Sequence, residues 1–313
     1  MFPPAPPPNV TPSGSLRQHQ DFQDLGLERL HPEQFQRFES FIYDHSGIRI
    51  DKKKITLLTN RVRRRVNALG LGDFDAYYRF LTSPQGRSEI QEFVDCITTN
   101  ETFFFRTPAQ FDWFRDQWLA EIVGDARLGK RGPSLRIWSA GCANGAEPYS
   151  IAIALAENAY RLRDWKVEII GTDISHEMLD AARRGIYSPR VMTGVTESQR
   201  RRFFRSTGDA DTWQIRESIR DAVSFEHHNL MRPVPRKEFD CVFIRNVMIY
   251  FDDRSKQTAV RHLISALRPG GYLLIGPSEG IHDRLKSLRR VSPLIYQKLA
   301  LACHDDESIR EQS

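Results

Sequence analysis

At 313 residues, 40% of them apolar and 27% charged, the chain has the composition of a folded soluble protein and the length for one large core and a second, smaller one. Lys plus Arg outnumber Asp plus Glu by 45 to 40, and the net charge of +5 permits an acidic partner without demanding one. The four cysteines, Cys96, Cys142, Cys241 and Cys303, form no CxxC pair, and His227 and His228 have no ligand cluster beside them, so reduced thiols and no metal site are expected.

Met1 to Pro12 is proline-rich, without an early positive region or an apolar h-region. It reads as a disordered tail, residues 1–27, of a cytoplasmic protein rather than a signal peptide or membrane span. The next segment, 28–107, is patterned as a small all-α domain. Phe35, Phe38, Phe41 and Ile42 share one helical face begun by Pro32, and Ile55, Leu58, Val62, Val66 and Leu69 form a second stripe ended by Gly70. Phe74, Tyr77 and Leu81 follow the cap Asp73, and Ile90, Phe93, Val94 and Ile97 make a fourth helix. Phe111 to Ile122 predicts a linker helix within 108–133. From 134 to 302 strands (135–139, 167–172, 223–226, 239–244, 272–276) alternate with helices (148–160, 175–184, 253–267), which predicts a largely parallel sheet covered on both faces. A last strand, Leu294 to Leu299, is expected on an antiparallel edge, and 303–313 as a tail. Residues 186–222 interrupt the rhythm, with Trp213 to Arg216 alternating like a strand after a Gly-Asp turn.

Four segments carry chemistry. Leu135 to Pro148 is a strand, a glycine turn and a helix begun by Pro148, which lets backbone approach a nucleotide-like ligand. Val167 to Asp173 is a second apolar strand ending in an acid able to accept both ribose hydroxyls of an adenosine. GxGxxG and GxxxxGK[ST] spacings are both missing, so an adenosine ligand without phosphates fits better, S-adenosylmethionine above all. Thr99 to Arg106 and Arg245 to Phe251 set polar groups beside dense apolar stretches, as two walls of one pocket.

In Thr99 to Arg106, Ala140 to Ser150, Gly171 to Ile174, Asn229-Leu230, Arg245 to Phe251 and Pro269 to Ser278, the chain resembles the chemotaxis receptor glutamate methyltransferases, the CheR family. The resemblance covers about residues 30 to 300. It implies a Rossmann-like α/β methyltransferase domain with an all-α N-terminal domain and an inserted β-subdomain at 186–222. It also implies methyl transfer from S-adenosylmethionine to receptor glutamates, leaving S-adenosylhomocysteine. Asn100, Thr102 and Arg106 would contact the cofactor from the domain junction, with Glu147 at its ammonium and Asp173 at its ribose. Asn229 and Leu230 would frame the adenine, Asn246 and Val247 would line the site, and Gly141 and Gly145 would allow close approach. In some family members the insertion grips a receptor's carboxyl-terminal peptide; here Ser206 stands where those members carry the first glycine of a Gly-Thr-Gly turn.

A glutamate, with a pKa of about 4.3, is already an ionised nucleophile at neutral pH, so alignment and water exclusion matter more than a general base. Arg106, through its planar fork, and Tyr250, through its phenol, are the candidates for orienting the acceptor, against the alternatives of an interdomain salt bridge and a core aromatic. At 100° per residue Lys53, Lys54, Arg61, Arg64 and Arg65 fall in one sector, a face suited to clustered glutamates on receptor helices. The partner expected is such a receptor, bound by a monomer, with no nucleic acid and no membrane insertion. A nucleic-acid methyltransferase and a cofactor-sensing scaffold are the competing readings. The first lacks the Asn/Asp-Pro-Pro-Tyr/Phe motif, and the retained Asn100, Arg106, Asp173 and Tyr250 oppose the second.

Overall fold

The computed structural model describes residues 29–299 apart from 209, 210 and 237, so the expected tails at 1–27 and 303–313 lie outside the described residues. Four helices come first: α1 (Pro32–Ser46), α2 (Ile55–Ala68), α3 (Phe74–Leu81) and α4 (Arg87–Ile97). Pro32 presets φ in the first turn of α1, the Asp73 carboxylate caps α3 by accepting from the Ala76 amide at 2.6 Å, and Gly70, at φ 63°, turns the chain away from α2. Phe38, Ile42, Leu58, Val62, Tyr77 and Phe93 meet in a core separate from the rest of the molecule.

The basic stripe expected from Lys53 to Arg65 is not continuous. Lys52–Lys54 form a 3-10 turn ahead of α2, held by the Asp51 carboxylate, which accepts from the Lys53 amide at 2.7 Å. Arg65 differs more. Its Nε and one terminal nitrogen each donate to Glu89 at 2.7 Å, and the buried Tyr77 hydroxyl donates to the same carboxylate at 2.8 Å. This fork ties α2 and α3 to α4, so Arg65 is a structural residue and not a free surface charge.

After α4, α5 (Pro108–Trp113), one π turn (Phe114–Trp118) and α6 (Leu119–Arg127) continue as one run whose aromatic side chains pack on the sheet. Then follow β1 (Ser134–Ala140), α7 (Ala146–Glu157), β2 (Lys166–Asp173) and α8 (His176–Arg184). The insertion contributes β3 (Ile186–Tyr187), α9 (Glu197–Phe203), β4 (Phe204–Ser206), β5 (Trp213–Ile215) and α10 (Glu217–Arg220), its strands ordered β3-β5-β4 in a small antiparallel sheet. The chain ends with β6 (Val223–His227), β7 (Phe239–Ile244), α11 (Asp253–Ala266), β8 (Leu267–Ile275), β9 (Leu288–Ser292) and β10 (Ile295–Lys298).

The main sheet runs β6-β2-β1-β7-β8-β10-β9, with the first five strands parallel and β10 antiparallel to both neighbours. Strand β9 was not expected from the sequence. Alternation divides the two faces: Ile137, Ile169, Phe243 and Leu274 pack with α7 and the α5–α6 run, while Trp138, Ile170, Val242 and Leu273 pack with α11. Strand order reverses between β1 and β7, where an open α/β sheet leaves a crevice at the carboxyl ends. Register places Ala140 beside both Thr172 and Ile244, so Gly141, Asp173 and Arg245 leave the sheet at one level.

Glu89→Ala should strand the Arg65 guanidinium and the Tyr77 hydroxyl in a closed interface, costing about 3–5 kcal/mol. Urea denaturation followed at the helical signal would show it; an unchanged midpoint would mean that the Arg65–Glu89 fork does not hold this domain.

Candidate active site

A single cavity opens at the crevice, floored by the strand ends and roofed by the helical domain. Gly141, Cys142, Ala143, Asp173, Asn229 and Asn246 line its floor; Arg49, Lys54, Leu57, Arg61, Asn100 and Arg106 line the roof and mouth.

The floor is built by backbone. Gly141 and Cys142 both donate to the Thr172 carbonyl, at 2.8 and 2.9 Å, which folds the turn after β1 across the end of β2. Gly141 sits at φ 73°, where a Cβ would lie 2.4 Å from Val247 Cγ2, so this glycine lets the β1 and β7 turns meet. Gly145, at φ 84°, does not line the cavity, and a Cβ there would meet Ala182 on α8 and Phe225 on β6, so a larger residue would crowd the start of α7.

Asp173 is buried, and its carboxylate accepts from the Ala143 amide at 2.8 Å and the Ser175 amide at 2.9 Å. Burial pushes its pKa up while those two amides pull it down. A carboxylate has about four acceptor positions, so capacity remains toward the cavity. Glu147, in the first turn of α7, accepts from Ser139 Oγ at 2.7 Å and pairs with Arg245 at 3.2 Å. Burial raises the Glu147 pKa, and the Arg245 guanidinium is the strongest influence in the other direction.

Two supporting residues escaped the sequence reading. Arg245, a charge ending an apolar strand, also donates to Thr107 Oγ1 at 2.9 Å and to the Arg106 carbonyl. Glu279, fully buried, accepts from the Asn246 amide and from the Met248 amide at 2.8 Å, holding Asn246 at φ 61° at the head of the turn that carries Tyr250. The signal for Arg245 was its position: a lone cation at the end of a fully buried strand requires a partner. Glu279 gave no signal, because its partners are backbone groups more than 30 residues away.

The roof comes from the domain junction. Ser150 on α7 accepts from the Phe105 amide at 2.9 Å, and Phe104 packs edge-on against Tyr187 and Phe204, which fixes the 99–107 loop. Phe105 and Thr107, both at positive φ (51° and 58°), flank Arg106, whose guanidinium lies 5.3 Å from the Phe103 ring centroid. Arg61 donates to Thr99 Oγ1 at 3.0 Å and to the Ile97 carbonyl, so it braces the loop while lining the cavity. Asn100 and Thr102 line the cavity as expected; Lys53, Arg64 and Arg65 do not. Tyr250 lines it too, and its hydroxyl bonds to no other described residue.

Asn229 departs from expectation in detail. Its amide donates to the His45 carbonyl at 2.7 Å and its carbonyl accepts from the Met231 amide at 2.9 Å, so the side chain clamps α1 to the end of β6. Leu230 is buried beside it, and His228, not singled out for this site, lines the cavity.

A glycine turn after β1, an acid at the end of β2 and a helical roof over the strand ends define the site of a Rossmann-like methyltransferase. The chain belongs to the CheR methyltransferase family: the family's SAM-binding domain matches residues 100–294 and its all-alpha domain residues 33–98. Relatives include a chemotaxis protein methyltransferase of Borreliella burgdorferi, 35% identical over 85% of this chain and 94% of that protein. The corresponding protein of Escherichia coli is 38% identical over 78% of this chain and 83% of its own length. In Pseudomonas aeruginosa, chemotaxis protein methyltransferase 2 is 35% identical over 84% of this chain and 92% of its own length. The residues present fit S-adenosylmethionine: the buried Asp173 carboxylate, the half-buried Glu147 carboxylate, a backbone turn and apolar Leu230 and Val247 all border the cavity, matching the chemistry of a sulfonium nucleoside without phosphates.

Because the Asp173 carboxylate also serves two buried backbone amides, Asp173→Ala should lower stability by about 1–3 kcal/mol even without ligand. Urea titrations of the free protein, with and without S-adenosylhomocysteine, separate this from any ligand effect; identical free-protein midpoints would refute the turn-holding role.

Proposed function

We propose that the protein transfers the methyl group of S-adenosylmethionine to glutamate carboxylates on the cytoplasmic helices of chemoreceptors. The carrying observation is that one cavity is lined at its floor by the cofactor turn and at its mouth by Arg49, Lys54, Arg61 and Arg106. An anionic acceptor is drawn to such a mouth, and the relatives' shared description as chemotaxis methyltransferases supplies the substrate class. The same relatives and the missing base-methylase motif disfavour nucleic acid.

When bound, the cofactor supplies a methyl group on a sulfonium. The carboxylate oxygen forms the new bond to carbon as the sulfur–carbon bond breaks and its electron pair returns to sulfur, giving a glutamyl methyl ester and S-adenosylhomocysteine. No proton moves, so the protein's contribution is alignment at roughly 3–3.5 Å and exclusion of water. Glu147 and Asp173 would hold the cofactor's ammonium and ribose, Leu230 and Val247 would offer apolar surface to the purine, and Asn100, Thr102 and Asn246 would add neutral polar contacts. Arg106 and Tyr250 would direct the acceptor: the guanidinium fixes the carboxylate plane and the phenol donates one hydrogen bond. Lys53, Lys54 and Arg64 stay exposed and serve as the steering surface; the clamped Arg65 drops out of that set. A receptor peptide at the 186–222 insertion remains part of the proposal, with β4 as one of the two outer strands of its sheet.

The direct test is incubation with methyl-labelled S-adenosylmethionine and a purified receptor cytoplasmic fragment, scoring alkali-labile methyl ester on glutamate. Label entering RNA instead, or no ester at all, would reject the reading. Tyr250→Phe should reduce turnover tenfold or more, as an estimate of about 1.4 kcal/mol for a transition-state contact, while leaving S-adenosylhomocysteine affinity unchanged. Wild-type turnover would return Tyr250 to a packing role. Reversing Lys53, Lys54 and Arg64 to Glu should slow receptor methylation and flatten its decline with salt, with cofactor affinity kept. An unaltered salt profile would make these residues merely solvated.

A further inference from the structure

Arg245 has no place in the transfer as described, yet its side chain is only 2% exposed. Its guanidinium joins two elements, α7 and the junction loop. One nitrogen pairs with Glu147 on α7 at 3.2 Å, and another donates to Thr107 Oγ1 at 2.9 Å and to the Arg106 carbonyl in the junction loop. Its own backbone leads directly into Asn246 and the Tyr250 turn. Every residue proposed to touch the cofactor's ammonium or direct the acceptor is therefore joined to this one fork.

We infer that Arg245 is a positioning residue with two linked tasks: it keeps Glu147 charged in readiness for the cofactor's ammonium, and it sets the Arg106 loop that receives the acceptor. This rests on the proposed cofactor reading. Enclosure favours the protonated form of this carboxyl, and the guanidinium at 3.2 Å opposes that preference. The charged and titratable groups near Glu147 are Arg245, Arg106, Glu279, Cys142 and Cys241. Burial keeps both thiols neutral, Glu279 opposes ionisation of Glu147, and Arg106 supports it less strongly than Arg245 does. Lysine cannot replace the fork, because a point charge cannot reach a carboxylate, a hydroxyl and a carbonyl in one plane.

The consequence is a proton linkage visible in binding alone. In the wild type, where the Arg245 guanidinium offsets part of the burial that raises the Glu147 pKa, the affinity for S-adenosylhomocysteine should depend only weakly on pH between about 5.5 and 7.0. Arg245→Met removes the largest influence favouring the carboxylate, so more of the free protein must lose a proton on binding. Affinity should then weaken as pH falls, approaching about tenfold per unit. In Arg245→Met combined with Glu147→Gln the slope should vanish. Arg245→Lys, which retains a charge and the fold, should bind the ligand with a flat pH profile but lose turnover on receptor at least tenfold, because the Arg106 loop has lost its anchor.

Calorimetric titration of the full-length protein across that pH range, with steady-state kinetics on a receptor fragment, decides the matter. Failure of the wild type to bind S-adenosylhomocysteine would overturn the cofactor reading itself. Wild-type binding with a flat profile in Arg245→Met, or a slope that survives in the double variant, would overturn the role assigned to Arg245. If Arg245→Met does not fold, wild-type turnover in Arg245→Lys is sufficient to refute it.

Discussion

Docking of the helical domain over the carboxyl edge of the sheet is the constraint on which the site depends, and backbone groups make much of it. Ile48 bridges Phe251 as an isolated antiparallel pair, and the Arg49 amide donates to the Tyr250 carbonyl at 2.8 Å. On the opposite side, Gln91 donates to the Ile174 carbonyl at 2.9 Å, while Asp95 accepts from the His176 and Glu177 amides at 3.0 and 3.2 Å, capping α8 from a different domain. Asn229 adds the clamp to His45. Because these contacts run through main chain at the end of β2, the end of β6 and the turn after β7, the roof is registered to the strand ends directly.

Such registration matters because the proposed reaction needs no general base. With an acceptor already ionised, rate depends on holding two partners in line and on keeping water from the charges. Four of the seven described non-glycine residues with positive φ lie at the site: Phe105 and Thr107 beside Arg106, Ala143 in the glycine turn, and Asn246 before the Tyr250 turn. Each is held by a stated partner. Ser150 and Arg245 secure the first two, Asp173 secures Ala143, and Glu279 secures Asn246. The buried acids Asp173 and Glu279 thus both serve main-chain amides at the site.

What the sequence revealed and what it hid divide along the same line. Period-2 and period-3.6 patterns exposed the parallel strands and the four leading helices, and Asp73, Pro32 and Gly70 marked ends through local chemistry. Strand-end residues such as Asp173, Asn246 and Tyr250 stood out because polar groups adjoined apolar runs, and the structure brings all three to one cavity. Strands β3 and β4 span only two and three residues, too few to show alternation, and β9 carries Arg289 and Arg290 on an exposed edge, which masks it. The captures of Arg65 by Glu89 and of Asn229 by His45 join positions 24 and 184 residues apart, so no local pattern predicts them. A helical wheel placed Arg65 among free cations because it counts angle and not partners.

The same distinction separates the cations that matter at the site from those that merely contribute to net charge. Arg65 and Arg245 are both enclosed and both face a glutamate, but Glu89 is shared with Tyr77 inside one domain, whereas Glu147 opens on the cavity. A buried pair within a core is weak evidence for function, since apolar replacements of equal volume often serve as well. A buried pair whose anionic member lines a ligand cavity is different: any incoming ammonium must interact with that carboxylate in the presence of the guanidinium. In the proposed reading Arg245 sets the charge that the ligand meets, and through Arg106 and Thr107 it passes the same constraint to the acceptor side. The floor and the mouth of the cavity are, in this sense, one electrostatic unit organised around the end of β7.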